Sequence, residues 1–342
     1  MTYFTQLGKF KQAKTSFVFE QIARVLLSIV VLLIMLALIL FPDKFMVSFK
    51  SGLLLFATAV LPALFPFMFL TKLLTDLGVV DKIAQFFNKP FAKLFKVPGL
   101  AFYVLMLSML CGYPVGAKVL SDLCEKDAIS REEANNMIPF CTSCGPLFVV
   151  GSVGVGMFAN KKLGFAVFGI CILAATLTCF VFGIFAKKPQ KLSASSAAKP
   201  TAFNEMLSKS MTDSCFSILL VGGYIALFYL LIDILMQFGI LLPFETATNW
   251  LFGLFKIDKS YTKGTVAGIF EMTRGCFEIS KTAGSKSLVF LCAIISFSGI
   301  SIIMQSLCFL TKAKLSGGKF LLVKFVQSVF AILIAMLFCV FL

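Results

Sequence analysis

The sequence predicts an all-α polytopic membrane protein made of two repeats, each interrupted by helix-breaking residues at membrane depth. Hydrophobic residues make up 59% of the 342 positions and the mean hydropathy is +0.97. Several apolar stretches approach the roughly 20 residues that a helix needs to cross a bilayer. Phe67 to Gly78 has the same outline as Phe228 to Gly239, and Leu94-Phe95-Lys96-Val97 recurs as Leu254-Phe255-Lys256-Ile257. An apolar run broken by Gly and polar residues then follows in each copy, Cys111-Gly112-Tyr113-Pro114-Val115-Gly116 in the first and Glu271-Met272-Thr273-Arg274-Gly275 in the second. Two-fold repetition with broken helices is the outline of a secondary transporter.

A basic N-terminus (Lys9, Lys11, Lys14, Arg24) leads into an apolar run with no small-residue cleavage site. Residues 1–50 therefore read as a cytoplasmic N-terminus and an uncleaved anchor helix in the cell membrane. Residues 51–186 form the first repeat, 187–210 a basic cytoplasmic linker rich in Lys, Ser and Ala, and 211–342 the second repeat. Spanning helices are expected at 22–41, 51–71, 134–158, 163–186, 213–237, 287–310 and 320–342. The runs 99–117 and 264–280 are too short or too polar for simple spans. If both enter and leave on one side, 21 of the 31 Lys and Arg fall in cytoplasmic segments, 311–324 among them, and nine fall opposite. That asymmetry agrees with the positive-inside rule and gives the two repeats opposite orientation. The five acids of 118–133 are the weak step, and a full crossing at 99–117 would make the repeats parallel. Stretch 81–96 alternates charge with Phe, which suits a helix lying in the headgroup plane.

Composition also excludes functions. The net charge of +15 lies in short loops between apolar runs, so it orients the chain rather than binding nucleic acid. With no His there is no His-ligated metal and no His-based acid–base catalysis. Cys171, Cys179, Cys292, Cys308 and Cys339 sit inside apolar segments, where a thiol packs as a small hydrophobe. The single CxxC at Cys141 and Cys144 has no second pair, and no cofactor or metal is expected. Without a convincing nucleophile and base, the chain does not read as an enzyme.

Four breaks carry the candidate site, because unpaired backbone groups persist in lipid only where protein or a water-filled cavity surrounds them. The first is Gly112, Tyr113, Pro114 and Gly116, whose alternative reading is a packing kink. The second runs from Asn135 and Asn136 to Thr142, Ser143 and Gly145. Pro146 suits the start of a half-helix whose free amides would seat an anion. The third is Glu271, Thr273, Arg274 and Glu278, with the charged groups on one helical face. It is either a self-neutralising cluster or a site where Arg274 holds an anionic substrate and Glu271 a coupling proton or cation. The fourth is Ser298 and Ser301 with Gln305, which is grouped with Glu271 for the coupling ion.

Gly112 to Lys118, Thr142 to Gly154 and Gly268 to Gly275 resemble the sporulation integral membrane protein YlbJ family, which carries the nucleoside-recognition, or Gate, domain. The resemblance covers nearly all of the chain after its first helix. It implies an inner-membrane protein whose Gate repeats are similar to those of concentrative nucleoside transporters. In spore formers it further implies movement of dipicolinate, a small aromatic dicarboxylate. The expected function is alternating-access transport of a small anionic metabolite, coupled to a proton or sodium ion. The alternatives are a nucleoside carrier and a non-transporting scaffold or sensor in envelope or spore development. The expected partners are the small anion and the lipid bilayer, and a homo-oligomer would suit such small repeat units.

Overall fold

The computed structural model describes residues 21, 24, 25, 27–186, 203–282, 284 and 286–341, and among them every regular element is a helix. The basic stretch 1–20 and linker positions 187–202 lie outside the described residues. Helix α1 (Leu27–Leu40) does not continue straight into α2 (Pro42–Leu55), because the chain bends by 108° between them. Pro42 has no amide to offer the preceding turn, so the anchor helix ends there. Through a π-helical turn at Phe56–Val60, α2 runs on into α3 (Leu61–Asp76), where Pro62 and Pro66 again remove backbone donors. The span expected at 51–71 thus lies across a distorted helix that starts nine residues earlier.

Helix α4 (Val79–Leu94) covers one end of the core with its aromatic face. Phe87 stacks on Phe102 at 3.5 Å between ring centroids, Phe91 and Phe95 pack against Phe140, and Phe86 remains 78% exposed. This one-sided burial is what the alternation of charge and Phe requires.

The two ambiguous runs are helical hairpins. Helices α5 (Leu100–Cys111) and α6 (Val115–Glu125) form the first, and α11 (Thr262–Phe270) and α12 (Met272–Ser280) form the second. At about 1.5 Å per residue none of the four exceeds about 18 Å, well short of a ~30 Å hydrocarbon core. They fold back because glycines let the arms touch. A Cβ on Gly275 would lie 2.3 Å from the Gly268 Cα, and one on Gly116 would lie 2.8 Å from the Ser108 Cβ.

The next helix is broken in each half. Helix α7 (Arg131–Met137) starts at a capping box between Ser130 and Glu133 and tightens into a 3-10 turn at Ile138–Cys141. It then yields to non-helical residues 142–145 before a π-helix at Leu147–Met157. The expected continuous span 134–158 is therefore three pieces. Ser298, left-handed at φ 72°, separates α13 (Ser287–Phe297) from α14 (Gly299–Lys312). Long helices α8 (Lys161–Phe185) and α15 (Gly317–Phe341) close the two halves. Helix α9 (Phe203–Gln237) begins inside the stretch read as linker, since its Lys and Ser side chains do not prevent a helix, and α10 (Leu242–Leu254) follows it.

The order of two helices, hairpin, broken helix and long helix thus occurs twice, from α3 to α8 and from α9 to α15. Left-handed residues recur with it: Gly78 and Gly239 at φ 74° and 68°, Lys96 and Lys256 at 55° and 51°, Ala159 and Lys314 at 49° and 56°. Among the described residues four helices are long and apolar enough to cross a bilayer, or five if the bent pair α1–α2 counts as one. Seven were expected; among the described residues the span at 51–71 is divided at the π-helical turn Phe56–Val60, the one at 134–158 at residues 142–145, and α1 is described only over Leu27–Leu40. Large apolar side chains on α1, α8 and α15 remain exposed, including Leu27, Ile184 and Leu337, as lipid-facing helices require.

Gly112 sits at φ 75° with a would-be Cβ only 2.6 Å from the Gly145 amide nitrogen, whereas Gly223 faces open space. Gly112→Ala should destabilise the protein by about 1–3 kcal/mol through overpacking and backbone strain, and Gly223→Ala should change it little. Thermal unfolding of the two purified variants in detergent compares them directly.

Candidate functional site

In both halves the hairpin tip abuts the break of the following helix. Gly112 meets Gly145 in the first half. In the second, a Cβ on Gly299 would lie 2.9 Å from the Gly268 carbonyl oxygen and 3.0 Å from the Met272 nitrogen. Side chains are excluded from both crossings, so backbone rests on backbone. Residues beside both crossings line one cleft. Cys111, Gly112 and Tyr113 line it from one tip, and Glu271, Met272 and Thr273 from the other. Cys144, Gly145 and Phe148 come from one broken helix, Ile302 and Gln305 from the other, and Val60, Leu64, Val221 and Ile225 form apolar walls.

Glu271 is fully buried and extended (φ −140°, ψ 116°), and its carboxylate accepts from the amides of Thr273 at 3.0 Å and Arg274 at 2.6 Å. The amino end of α12 is thus already occupied by the chain's own anion, which offsets the partial positive charge there. The π-helix and α14 begin at Pro146 and Ser298 with no side-chain cap, so their first amides stay available near the cleft. Gln305 donates to the Ser301 hydroxyl at 3.3 Å while its Oε1 is buried without a partner. Ser298 turns its hydroxyl onto the Phe297 carbonyl, and Thr142 donates to the Pro139 carbonyl. The Ser143 amide donates to Ser108 Oγ at 2.9 Å, while its own hydroxyl is buried and unpaired.

Residues 57–161 match the family described as Gate, nucleoside recognition, a segment that holds both first-half breaks. The chain thus carries a Gate-like segment over about a third of its length. It is also 27% identical, over 309 residues, to the sporulation integral membrane protein YlbJ of Bacillus subtilis (strain 168), covering 84% of this chain and 76% of that one. No solved structure matches. The Gate segment ends at the start of α8, so Glu271, Thr273 and Gln305 join its cleft from outside the matched residues, while Ser298 does not line it.

Several predicted site residues lie elsewhere. Gly116 packs α6 against the Cys141 carbonyl, and Pro114 caps α6. Asn136 accepts from Lys319 Nζ at 3.1 Å, fastening α7 to α15. Arg274 does not line the cleft. Its Nη2 lies 3.1 Å from Asp233 Oδ1, its Nε 3.4 Å from Glu278 Oε1, and its guanidinium sits over the Tyr229 ring at 5.1 Å. Asp233 also accepts from Ser48. The arrangement favours the self-neutralising reading of Arg274, since two carboxylates already hold it.

A mirrored cluster lies toward the other end of α9. Lys72 bridges Asp122 at 3.7 Å and Asp213 at 3.4 Å, Lys118 joins Asp122 at 3.8 Å, and Lys126 pairs with Asp76 at 3.2 Å. Both clusters use an i,i+4 pair just beyond a hairpin tip, Lys118 with Asp122 and Arg274 with Glu278. Asp213 and Asp233 are about 30 Å apart along α9 at ~1.5 Å per residue, and cleft residues Val221 and Ile225 lie between them.

Sequence reasoning missed Lys324. It counts there as a cytoplasmic loop charge, yet it is fully buried in α15 and donates to the Tyr113 hydroxyl at 3.1 Å and the Thr142 carbonyl at 3.3 Å. The available signal is the stripe Phe320, Lys324, Gln327, Ala331 and Ala335 at helical spacing. Its small and polar members mark a protein-facing side, and all five are fully buried.

Glu271→Ala strips α12 of its cap and should cost about 0.5–2 kcal/mol, while Glu271→Gln keeps one acceptor oxygen and should cost less. Chemical denaturation of the two variants in detergent reads the difference.

Proposed function

We propose that the chain is a secondary transporter that carries a small anionic metabolite by alternating access, with dipicolinate the leading substrate. The observation that carries this reading is the convergence of both hairpin tips, the break at Cys144–Gly145 and the first turns of α14 on one cleft. In lipid, such breaks persist only around a cavity or within protein, and transporters build substrate sites from them. The apolar walls Val60, Leu64, Phe148, Val221, Ile225 and Ile302 suit a flat aromatic ring, and the uncapped helix starts at Pro146 and Ser298 suit carboxylates. Glu271, the titratable carboxyl in the cleft, is our candidate for the coupling proton: taking one up removes a negative charge as the anion enters. Similarity to YlbJ makes sporulation the proposed setting and the cell membrane the proposed location, with the two halves in opposite orientation.

The ion clusters at the two ends of α9 give alternating access a physical form. Each ties a hairpin arm to α9 on one side of the cleft, so releasing one cluster opens that side while the other stays shut. In vesicles carrying Ile225→Cys, Asp122→Asn should increase labelling by an impermeant maleimide from one face and Asp233→Asn from the other. Equal labelling from both faces in both variants would remove the gating role.

Counterflow in proteoliposomes loaded with dipicolinate tests the transport reading itself. Wild-type protein should accumulate labelled dipicolinate, unlabelled dipicolinate but not uridine should compete, and Gln305→Ala or Glu271→Gln should abolish uptake without preventing membrane insertion. Competition by uridine alone would establish a nucleoside carrier. No flux from folded protein would leave a scaffold or sensor.

A further inference from the structure

We infer that Lys324 is the fixed counter-ion of the cleft, making the site select doubly charged carboxylate ligands over singly charged or neutral ones of the same shape. The inference rests on the reading above only in taking a carboxylate as ligand.

Lys324 lies about 10 Å inside the end of α15, some seven residues from Gly317, and none of its surface reaches solvent. Its ammonium is held by neutral groups: the Tyr113 hydroxyl at 3.1 Å, the Thr142 carbonyl at 3.3 Å and the Tyr113 ring, whose centroid is 4.1 Å away. Among the described residues no carboxylate pairs with it. The contrast with Lys72 and Arg274 is direct, since each of those has two acidic partners. An ammonium buried without a counter-ion is costly, and it persists where the missing charge is supplied in use.

The cleft is where that charge would arrive. Tyr113 lines it and also accepts from Lys324, so the ammonium stands one side chain behind the wall. The Tyr113 hydroxyl is committed in both directions, because it donates to the Ile295 carbonyl at 3.0 Å. At low permittivity the attraction between the ammonium and a carboxylate seated against that wall falls off slowly with distance. Spare hydrogen-bonding capacity surrounds the same spot. The Ser143 hydroxyl, between Thr142 and cleft-lining Cys144, is buried and unpaired, as are both amide atoms of Gln327 one turn along α15. A purely structural tie to Tyr113 and Thr142 needs donors only, and a neutral amide could supply them. What lysine adds is the capacity to carry a positive charge, which an arriving carboxylate favours.

The test is equilibrium binding to the full chain in detergent with three probes of one shape: dipicolinate, the monoacid picolinate and the neutral pyridine-2,6-dicarboxamide. Wild-type protein should bind the dianion at least about tenfold more tightly than the diamide, with the monoacid between them. Lys324→Gln should bring the three within about threefold of one another and leave the diamide affinity unchanged, whereas Lys324→Arg should keep the order. Lys324→Met keeps the stem without a donor and takes the place of Lys324→Gln if that variant does not fold. Equal weakening of all three probes would make Lys324 a structural tie and overturn the inference, as would an unchanged preference in the neutral variants. If wild-type protein binds none of the probes, the anion-carrier reading falls together with it. If wild type binds dipicolinate and Lys324→Gln keeps the preference, only the role of Lys324 falls.

Discussion

Backbone amides and carbonyls cannot be left unpaired in hydrocarbon, and most of this architecture follows from meeting that demand at four helix breaks. The breaks are stacked in pairs, Gly112 on Gly145 and Gly268 beside Gly299, so each interruption is shielded by another. Only glycine allows so close an approach at Gly112, Gly145 and Gly299, where a side chain would collide with main-chain atoms. Once the pairs are stacked, their open ends face inward and the cleft forms between the two halves. The hairpins are short for the same reason, because each arm only has to reach the crossing.

With Lys324 as the exception, the buried charged side chains obey a second demand, that a charge below the membrane surface be balanced where it lies. Arg274 is balanced by Asp233 and Glu278, and Lys72 by Asp122 and Asp213. Glu271 is balanced by the amino end of α12 through two amides. These pairings are geometrically alike in the two halves although the residue types differ, an arginine on α12 standing where α6 has a lysine. Local charge neutrality, rather than residue identity, is the feature that recurs.

Much of this was legible before folding. Pro146 and the Gly112–Gly116 run announce their breaks because proline lacks a donor and glycine tolerates left-handed backbone, and both effects are local. The two hairpins are legible for a related reason: runs too short to cross must turn back. Arg274 was harder, since its main partner Asp233 lies 41 residues away and only the packing of α12 on α9 brings them together. Lys324 was misread because it follows Lys312, Lys314 and Lys319, and a run of lysines reads as a loop. Its burial depends on a carbonyl 182 residues distant, which no local pattern encodes. The reach of α9 into the linker stretch went unseen because polar side chains mask helical periodicity.

The crossings have a mechanical consequence. Where two helices meet through interlocked side chains, turning one against the other forces rotamers to unlock and repack. At Gly112 on Gly145 and at Gly299 on the Gly268 carbonyl and Met272 amide, backbone bears on backbone, and the Ile294 side chain packed on Gly268 is the one neighbour that must adjust. The arms on either side can swing like scissor blades about those two points while the pins stay in contact. The leverage of such a swing grows with distance from the pin, so the largest displacements fall at the outer ends of the arms and the smallest at the cleft itself.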